Sequence, residues 1–252
     1  MLYNDGNKVK SRANTVKEIS DKLNANYLFG AKSIKNKFSF DISESYINDS
    51  NVIYGSIEGF DYCFIEYYYV NAFERGNSKE RWISRLILKF KDEEFPTFHL
   101  ITKKKALSDI IYSVILSLVF FIIPIIFYLS DGNNDIKLLL FLLAIFGVPF
   151  ILTVGFIIHS LMMISDQDRF RISNQKFKEK YVLLDVLSSN NSINSLFSEE
   201  VCSNIVNYPD DIDIKVKKNS ISEEFGFNET LSFEICQKRL NKLISIVKLF
   251  EN

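Results

Sequence analysis

The chain has 252 residues, a net charge of −1 and a mean hydropathy of +0.04. This length predicts one or two domains. Basic and acidic residues are evenly mixed, 17 against 14 in residues 1–106 and 12 against 14 in residues 165–252, which excludes a basic surface for nucleic acid. The three cysteines, Cys63, Cys202 and Cys236, are odd in number and far apart. We therefore expect small buried side chains in a reducing compartment, with neither a disulfide frame nor a metal site.

The N-terminal part begins with helical spacing and continues with strand-like runs. Apolar residues recur every three or four positions in residues 8–28, which predicts an amphipathic helix; a solvated tail is the alternative. Runs rich in Ile, Tyr, Phe and Val follow at 52–58, 61–70 and 81–91, and they predict three strands. A short fourth strand is predicted at Thr97–Ile101.

The third of these strands shows a regular alternation of side chains. Ile83 and Ile87 alternate with Trp82, Leu86 and neighbouring apolar residues, and only the face with the two isoleucines carries basic side chains. Period-two alternation of this kind predicts a sheet with one packed face and one face in water.

Two long runs without a charged residue lie in the middle of the chain, at 110–129 and 138–164. A helix needs about 20 apolar residues to cross the hydrocarbon core of a bilayer, and both runs reach that length. Helices in the core of soluble proteins are seldom apolar throughout over such a distance. We therefore predict a transmembrane helical hairpin in residues 107–164, with helices at 107–129 and 138–164, and the lipid bilayer as its partner.

Flanking charges predict how the hairpin is oriented. Lys103, Lys104 and Lys105 precede the first run, and five further Lys and Arg residues follow the second. The connecting loop, residues 130–137, holds one Lys and two Asp. Because cytoplasmic loops carry the excess of Lys and Arg, we expect a multi-pass protein of the cell inner membrane with both termini in the cytoplasm. The three lysines are predicted to anchor the chain to the inner leaflet.

Small residues mark one face of each predicted membrane helix. Ser113 and Ser117 are four positions apart on the first helix, and Gly147 and Gly155 lie on one stripe of the second. Small side chains let membrane helices approach closely. We therefore predict that these four residues pack the two helices against each other.

Two ionisable residues, Asp109 and His159, lie near the inner ends of the helices. At a rise of about 1.5 Å per residue both are about 30 Å from the outer ends, so their depths match. This predicts a polar pair within the membrane. The alternative is that each side chain reaches interfacial water separately.

The C-terminal part mixes strands with amphipathic helices. Residues 177–186 are strand-like, and Ser198 followed by two glutamates is typical of a helix N-terminus. Alternation at 212–217 and a turn into 220–225 predict two strands. Apolar residues on one stripe predict a last helix at about 229–250.

The two soluble parts are each small to bury a core of their own. A domain of about 60 residues is already marginal in stability, whereas residues 1–106 and 165–252 together make a domain of ordinary size. We therefore predict one discontinuous cytoplasmic α+β domain, with the membrane hairpin inserted into it.

Several short motifs resemble those of an uncharacterised family. They are GSIEGFDY from Gly55, the pair Tyr67 and Tyr68, FPTFHL from Phe95, FKEKYVLL from Phe177 and LFSEE from Leu196. The pattern is similar to that of bacterial proteins known only as domains of unknown function. This resemblance implies two membrane helices with an α+β cytoplasmic part, and it supplies no catalytic residues. The ITKKK run after Leu100 departs from the more acidic or proline-containing run of that pattern.

No combination of residues predicts catalysis. The sequence has only two histidines, and it contains no nucleotide-binding, zinc-protease or CxxC motif. The acidic residues Asp210, Asp211 and Asp213 are predicted to form a solvated turn, since a site for a hard cation needs more oxygen ligands. We predict no catalytic residue, no cofactor and no metal.

Three hypotheses about function remain at this point. The first is a non-enzymatic inner-membrane protein whose cytoplasmic domain binds or scaffolds a protein partner or a second copy of itself. The second is a membrane-tethered enzyme of unrecognised type. The third is an oligomeric effector that perturbs the membrane, which would require the hairpin to assemble because two helices alone enclose no pore.

Overall fold

The computed structural model describes residues 2–3, 6–34, 37–38, 48–71, 80–90, 95–130, 136–226 and 230–250. Within these residues the protein is an α+β fold with eight α-helices and an eight-stranded antiparallel sheet, extended by one two-residue strand. The α+β class predicted from the sequence is confirmed. The chain divides into two compact units. The first comprises Met1–His99, Asp185–Leu196 and Asp213–Asn252; the second comprises Leu100–Leu184 and Phe197–Ile212.

The elements are numbered in chain order. The helices are α1 (Gly6–Ser11), α2 (Ala13–Lys22), α3 (Lys103–Ser130), α4 (Ile136–Ser165), α5 (Gln175–Lys180), α6 (Asn190–Leu196), α7 (Glu199–Val206) and α8 (Phe233–Phe250). The strands are β1 (Leu2–Tyr3), β2 (Asn26–Phe29), β3 (Asn51–Ile57), β4 (Phe60–Asn71), β5 (Glu80–Lys89), β6 (Phe95–Thr102), β7 (Tyr181–Leu184), β8 (Ile214–Lys218) and β9 (Ser220–Phe225). Short 3-10 helices occupy Ala31–Ile34 and Asp166–Arg169.

In the first unit the strands follow the order β2-β3-β4-β5-β9-β8-β6. β3 and β4 form a tight hairpin in which Ile57 pairs with Phe60, so that only Glu58 and Gly59 make the turn. Both turn residues have positive φ, 49° and 87°. This is the combination of a type I′ turn, whose twist matches that of the two strands.

Most strands predicted from alternation are confirmed. The runs at 52–58, 61–70 and 81–91 correspond to β3, β4 and β5, and the predicted short strand at 97–101 lies within β6. β8, β9 and α8 also lie where strands and a helix are predicted. At the start of α7, Ser198 Oγ accepts a hydrogen bond from Val201 N at 3.3 Å, which confirms the predicted cap.

Two predicted elements are wrong in kind. Residues 177–186 are not one strand, because α5 continues to Lys180 before β7 begins. Asn174 starts that helix, since its side-chain oxygen accepts a hydrogen bond from Phe177 N at 2.9 Å. Residues 8–28 are not one helix either. α2 ends at Lys22, Asn24 adopts a positive φ of 50°, and Tyr27 then belongs to β2.

The prediction that one face of the sheet lies in water is wrong around β3–β5. Ile83 and Ile87 are buried in a cluster with Ala31, Ile34 and Phe38. The segment that follows β2 therefore covers this face. The basic residues of β5 gave no sign of this cover, and Arg85 pairs with Glu224, its directly opposite neighbour on β9, at 2.7 Å.

On the opposite face, the fully buried carboxylate of Glu66 joins distant parts of the chain. Arg12 donates to it through Nε at 3.2 Å and through Nη2 at 3.1 Å, and Leu231 N donates at 2.8 Å. Asn51 Nδ2 completes the set at 3.4 Å and also donates to Val9 O at 2.9 Å. Both carboxylate oxygens are thus satisfied, as a buried charge requires.

The same arginine links this network to the only tryptophan of the sequence. Arg12 Cζ lies 5.2 Å from the centre of the Trp82 ring, and Trp82 packs edge-on against Tyr68 at 5.0 Å. Fluorescence of Trp82 therefore reports on the region around Glu66.

The three cysteines are free and buried, as predicted. Burial raises the pKa of the Cys202 and Cys236 thiols to about 12, with Glu199 adding to the effect at Cys202 and Glu66 at Cys236. Burial also raises the pKa of Cys63 well above its ordinary value. The single domain predicted from residues 1–106 and 165–252 stays a prediction.

We expect Glu66→Gln to lower the free energy of unfolding by about 3 kcal/mol, because it removes the partner of a mostly buried guanidinium. Denaturant unfolding of the detergent-solubilised chain, followed through Trp82, measures this. The matched control is Glu58→Gln, which breaks the exposed ion pair with Lys248 and should cost under about 1 kcal/mol. Equal losses in the two variants would contradict the role given to Glu66.

Candidate membrane hairpin

The long helices α3 and α4 form an antiparallel hairpin within the second unit. At about 1.5 Å per residue, their 28 and 30 residues span about 42 and 45 Å. The hydrocarbon core of a bilayer is about 30 Å thick. Both helices are therefore long and apolar enough to cross it, and by length and composition they are the two candidate spans among the residues that the structure describes.

The side chains of these helices are exposed, unlike those of a core helix. Only 17% of the apolar segment of α3 and none of that of α4 is buried. Of the 20 large hydrophobic side chains found exposed in the described part of the chain, 19 belong to α3 and α4, and the other is Leu187. Water would surround this apolar surface at high cost, whereas lipid would not.

The contact between the two helices is centred on a pair of hydroxyls. Ser117 Oγ lies 2.7 Å from Thr153 Oγ1, and Ser117 is buried. Thr153 Oγ1 also lies 2.9 Å from the Phe150 carbonyl, and Ser117 Oγ lies 2.9 Å from the Ser113 carbonyl. Since each hydroxyl has one proton, one bonds across the hairpin while the other bonds back to its own helix. Of the residues predicted to pack the helices, Ser117 therefore lies at this contact, whereas the Ser113 hydroxyl bonds back to the Asp109 carbonyl of its own helix at 2.9 Å.

The structure places Gly147 and Gly155 elsewhere. A methyl group added to either would meet no atom within 4 Å. At about 100° per residue, they lie about 120° and about 160° around α4 from Thr153, outside the hydroxyl contact. The helices make no close approach at either glycine, although Gly147 lines an apolar cleft between them. Their role in packing the hairpin stays a prediction.

Asp109 and His159 are not brought together either. Both side chains are exposed, and no hydrogen bond or ion pair joins these two residues, which lie in the described part of the chain. Asp109 lies about 80° around α3 from Ser117, and His159 about 120° around α4 from Thr153. The two side chains therefore point in different directions, and their matching depth stays a prediction.

A cleft of about 300 Å³ opens between the helices further from Thr102. Its lining is almost wholly apolar: Phe120, Phe121, Ile125, Phe146, Gly147, Phe150 and Ile151. Hydrocarbon fits such a cleft, and it offers no polar group to a reaction.

Strands β6 and β7 hold the end of the hairpin at which α3 begins and α4 ends. We call this end the root of the hairpin. α3 begins at Lys103, directly after β6 ends at Thr102. Ile101 of β6 and Ala106 of α3 form an apolar cluster with Val182 of β7, and Ile164 of α4 packs on it. Both long helices are thus held at the same small sheet segment.

Gln167 completes this root and was not found from the sequence. Its side-chain amide pairs with the backbone of Leu183 in both directions, Nε2 to the carbonyl at 3.0 Å and Oε1 to the N–H at 2.9 Å. It also donates to Met163 O at 2.6 Å, at the end of α4. A glutamine after an apolar run carries no signal that distinguishes it from any surface glutamine.

Little in the structure points to catalysis. Among the described residues, no group of three or more His, Cys, Asp or Glu side chains is placed to hold a metal ion. His99 Nε2 lies 2.8 Å from Asp213 Oδ1 in the first unit, where the pair joins the end of β6 to the segment before β8.

Comparison with protein-family models, with characterised proteins and with solved structures finds no match. The resemblance to an uncharacterised bacterial family therefore stays a prediction.

We expect Gln167→Leu to loosen the root of the hairpin. The substitution keeps the size of the side chain but leaves Leu183 N and O without their partner, at about 1–3 kcal/mol for each buried polar group. The melting temperature in detergent should fall by several degrees. The matched control is Gln175→Leu, which removes only an exposed bond to Glu179. A Gln167→Leu variant as stable as that control would contradict the role of this amide.

Proposed function

We propose that this protein is an integral protein of the cell inner membrane, anchored by α3 and α4, with a non-enzymatic cytoplasmic domain that binds or scaffolds a protein partner. The observation that carries the proposal is the exposed apolar surface of the hairpin, which includes 19 of the 20 exposed large hydrophobic side chains in the described residues. A bilayer is the environment that removes such a surface from water.

The direction of insertion follows from charge. Lys103, Lys104 and Lys105 lie in the first turn of α3, and a second group of basic residues follows α4. Moving these cations across the membrane is disfavoured, which supports a cytoplasmic location for both termini and for the two soluble parts of the chain.

The binding role has different support. The sequence carries no recognised catalytic or cofactor motif. We infer that the domain acts through contacts, with a different protein or with a second copy of the chain. Two alternatives are a membrane-tethered enzyme and an oligomeric effector. The affinity purification described below distinguishes them from the binding role.

Insertion is tested with two single substitutions to cysteine, Asn133→Cys and Asn252→Cys, at positions outside the described residues. An impermeant maleimide should label Asn133→Cys in intact cells, and should label Asn252→Cys only after permeabilisation. The native thiols do not interfere, because Cys63, Cys202 and Cys236 are buried and burial raises the pKa of each. Labelling of Asn252→Cys in intact cells with protection of Asn133→Cys would refute the orientation.

The same membranes, once solubilised, test the binding role. Affinity purification of the tagged chain should yield a stoichiometric partner protein or a second, differently tagged copy. Recovery of the chain alone, together with turnover of a small molecule by that preparation, would favour the enzyme.

A further inference from the structure

Eight basic residues gather at the inner end of the hairpin, within the second unit. They are Lys103, Lys104, Lys105, Arg169, Arg171, Lys176, Lys178 and Lys180. The sequence alone treats them as one group of positive charges. The structure separates them by the partners they have.

Some of these cations are already neutralised. Arg169 lies 3.1 Å from Asp166, Lys178 lies 3.8 Å from Asp168, and Lys180 lies 3.4 Å from Asp211. Lys105 and Arg171 also interact with neighbouring groups. These five side chains have partners within the protein.

The remaining three of the eight cations are Lys103, Lys104 and Lys176. In the part of the chain that the structure describes, Lys103, Lys104 and Lys176 are joined to no carboxylate, and Lys104 and Lys176 are exposed. α3 gains nothing from two lysines in its first turn, since cations are favourable at the other end of a helix. Their charge is therefore not explained by the stability of the fold.

These three lysines lie on two elements that contact each other. α5 contacts α3 and β7, so Lys176 is held close to the inner end of the hairpin. Phe177 fixes α5 in place, buried against the rings of Tyr181 at 5.5 Å and Phe197 at 5.4 Å. The position of Lys176 is thus set by packing and not by a flexible loop.

We propose that Lys103, Lys104 and Lys176 form a surface that binds the headgroups of anionic phospholipids in the inner leaflet. This inference rests on the proposed membrane insertion, which brings the start of α3 to the level of the headgroups. Phosphate groups supply the negative charge that the protein does not. Lys176 is exposed on α5, which contacts α3, and so adds a second point of attachment to the anchor.

The magnitude follows from the charge. Each lysine near an anionic surface strengthens binding about fivefold, so three give about a hundredfold. The variant Lys103→Gln/Lys104→Gln/Lys176→Gln should lose this factor. The matched control, Lys17→Gln/Lys22→Gln/Lys32→Gln, removes three exposed lysines of the first unit and should change nothing.

The experiment titrates the full-length chain in neutral detergent with dioctanoyl phosphatidylglycerol, dioctanoyl phosphatidylcholine or inorganic phosphate, with bound ligand counted by native mass spectrometry. The wild-type chain should prefer phosphatidylglycerol, lose that preference in the first triple variant and keep it in the control. Raising the salt concentration should weaken the wild-type preference. This salt dependence of the wild-type chain tests the proposed headgroup surface even if the triple variant does not fold.

Several results would overturn the proposal. They are equal affinity for the two lipids, an unchanged preference in the first triple variant, a preference that does not respond to salt, or binding of inorganic phosphate as tight as that of phosphatidylglycerol. Alkaline extraction of membranes separates this failure from failure of the proposed function. If the wild-type chain stays in the membrane but shows no preference for phosphatidylglycerol, only the headgroup surface is refuted; release of the wild-type chain refutes insertion itself.

Discussion

The first unit depends on the burial of one negative charge. Glu66 is 0% exposed in the middle of β4, where an unpartnered carboxylate would not be tolerated. Its partners come from the segment between α1 and α2, from β3 and from the segment before α8. The carboxylate can therefore be satisfied only when the N-terminal helices, the sheet and the C-terminal segment are assembled together. Assembly of this unit is thus coupled across residues more than 150 positions apart in sequence.

The second unit is organised by a different constraint, the need to hold two apolar helices at their inner ends. β6 passes into α3 without a linker, and the Gln167 amide fastens the end of α4 to β7. A root of this kind couples the orientation of α3 and α4 to that of β6 and β7. An anchor joined by a flexible linker would not do so.

Elements with a long, uninterrupted pattern of apolar residues could be predicted from the sequence. Hydrogen bonds and ion pairs between residues far apart in the chain could not. Uninterrupted apolar runs predicted α3 and α4, and runs rich in Ile, Tyr, Phe and Val predicted β3, β4 and β5. The strand-like composition of residues 177–186 hid α5, because the cap at Asn174 depends on backbone geometry that composition does not encode. The stripe of Gly147 and Gly155 was visible, but not that a methyl group at either position would meet no neighbouring atom. Glu66 and Gln167 carry no local signal at all, because their partners lie in other elements.

The central claim is that α3 and α4 lie in hydrocarbon. Nitroxide labels at Ile151 and at Leu187, both strongly exposed, test this claim in reconstituted liposomes. The measurement compares how often each label collides with oxygen, which concentrates in lipid, and with a nickel chelate, which stays in water. The account predicts that the label at Ile151 collides mainly with oxygen and the label at Leu187 mainly with nickel. A label at Ile151 that meets nickel as readily as the one at Leu187 would contradict it.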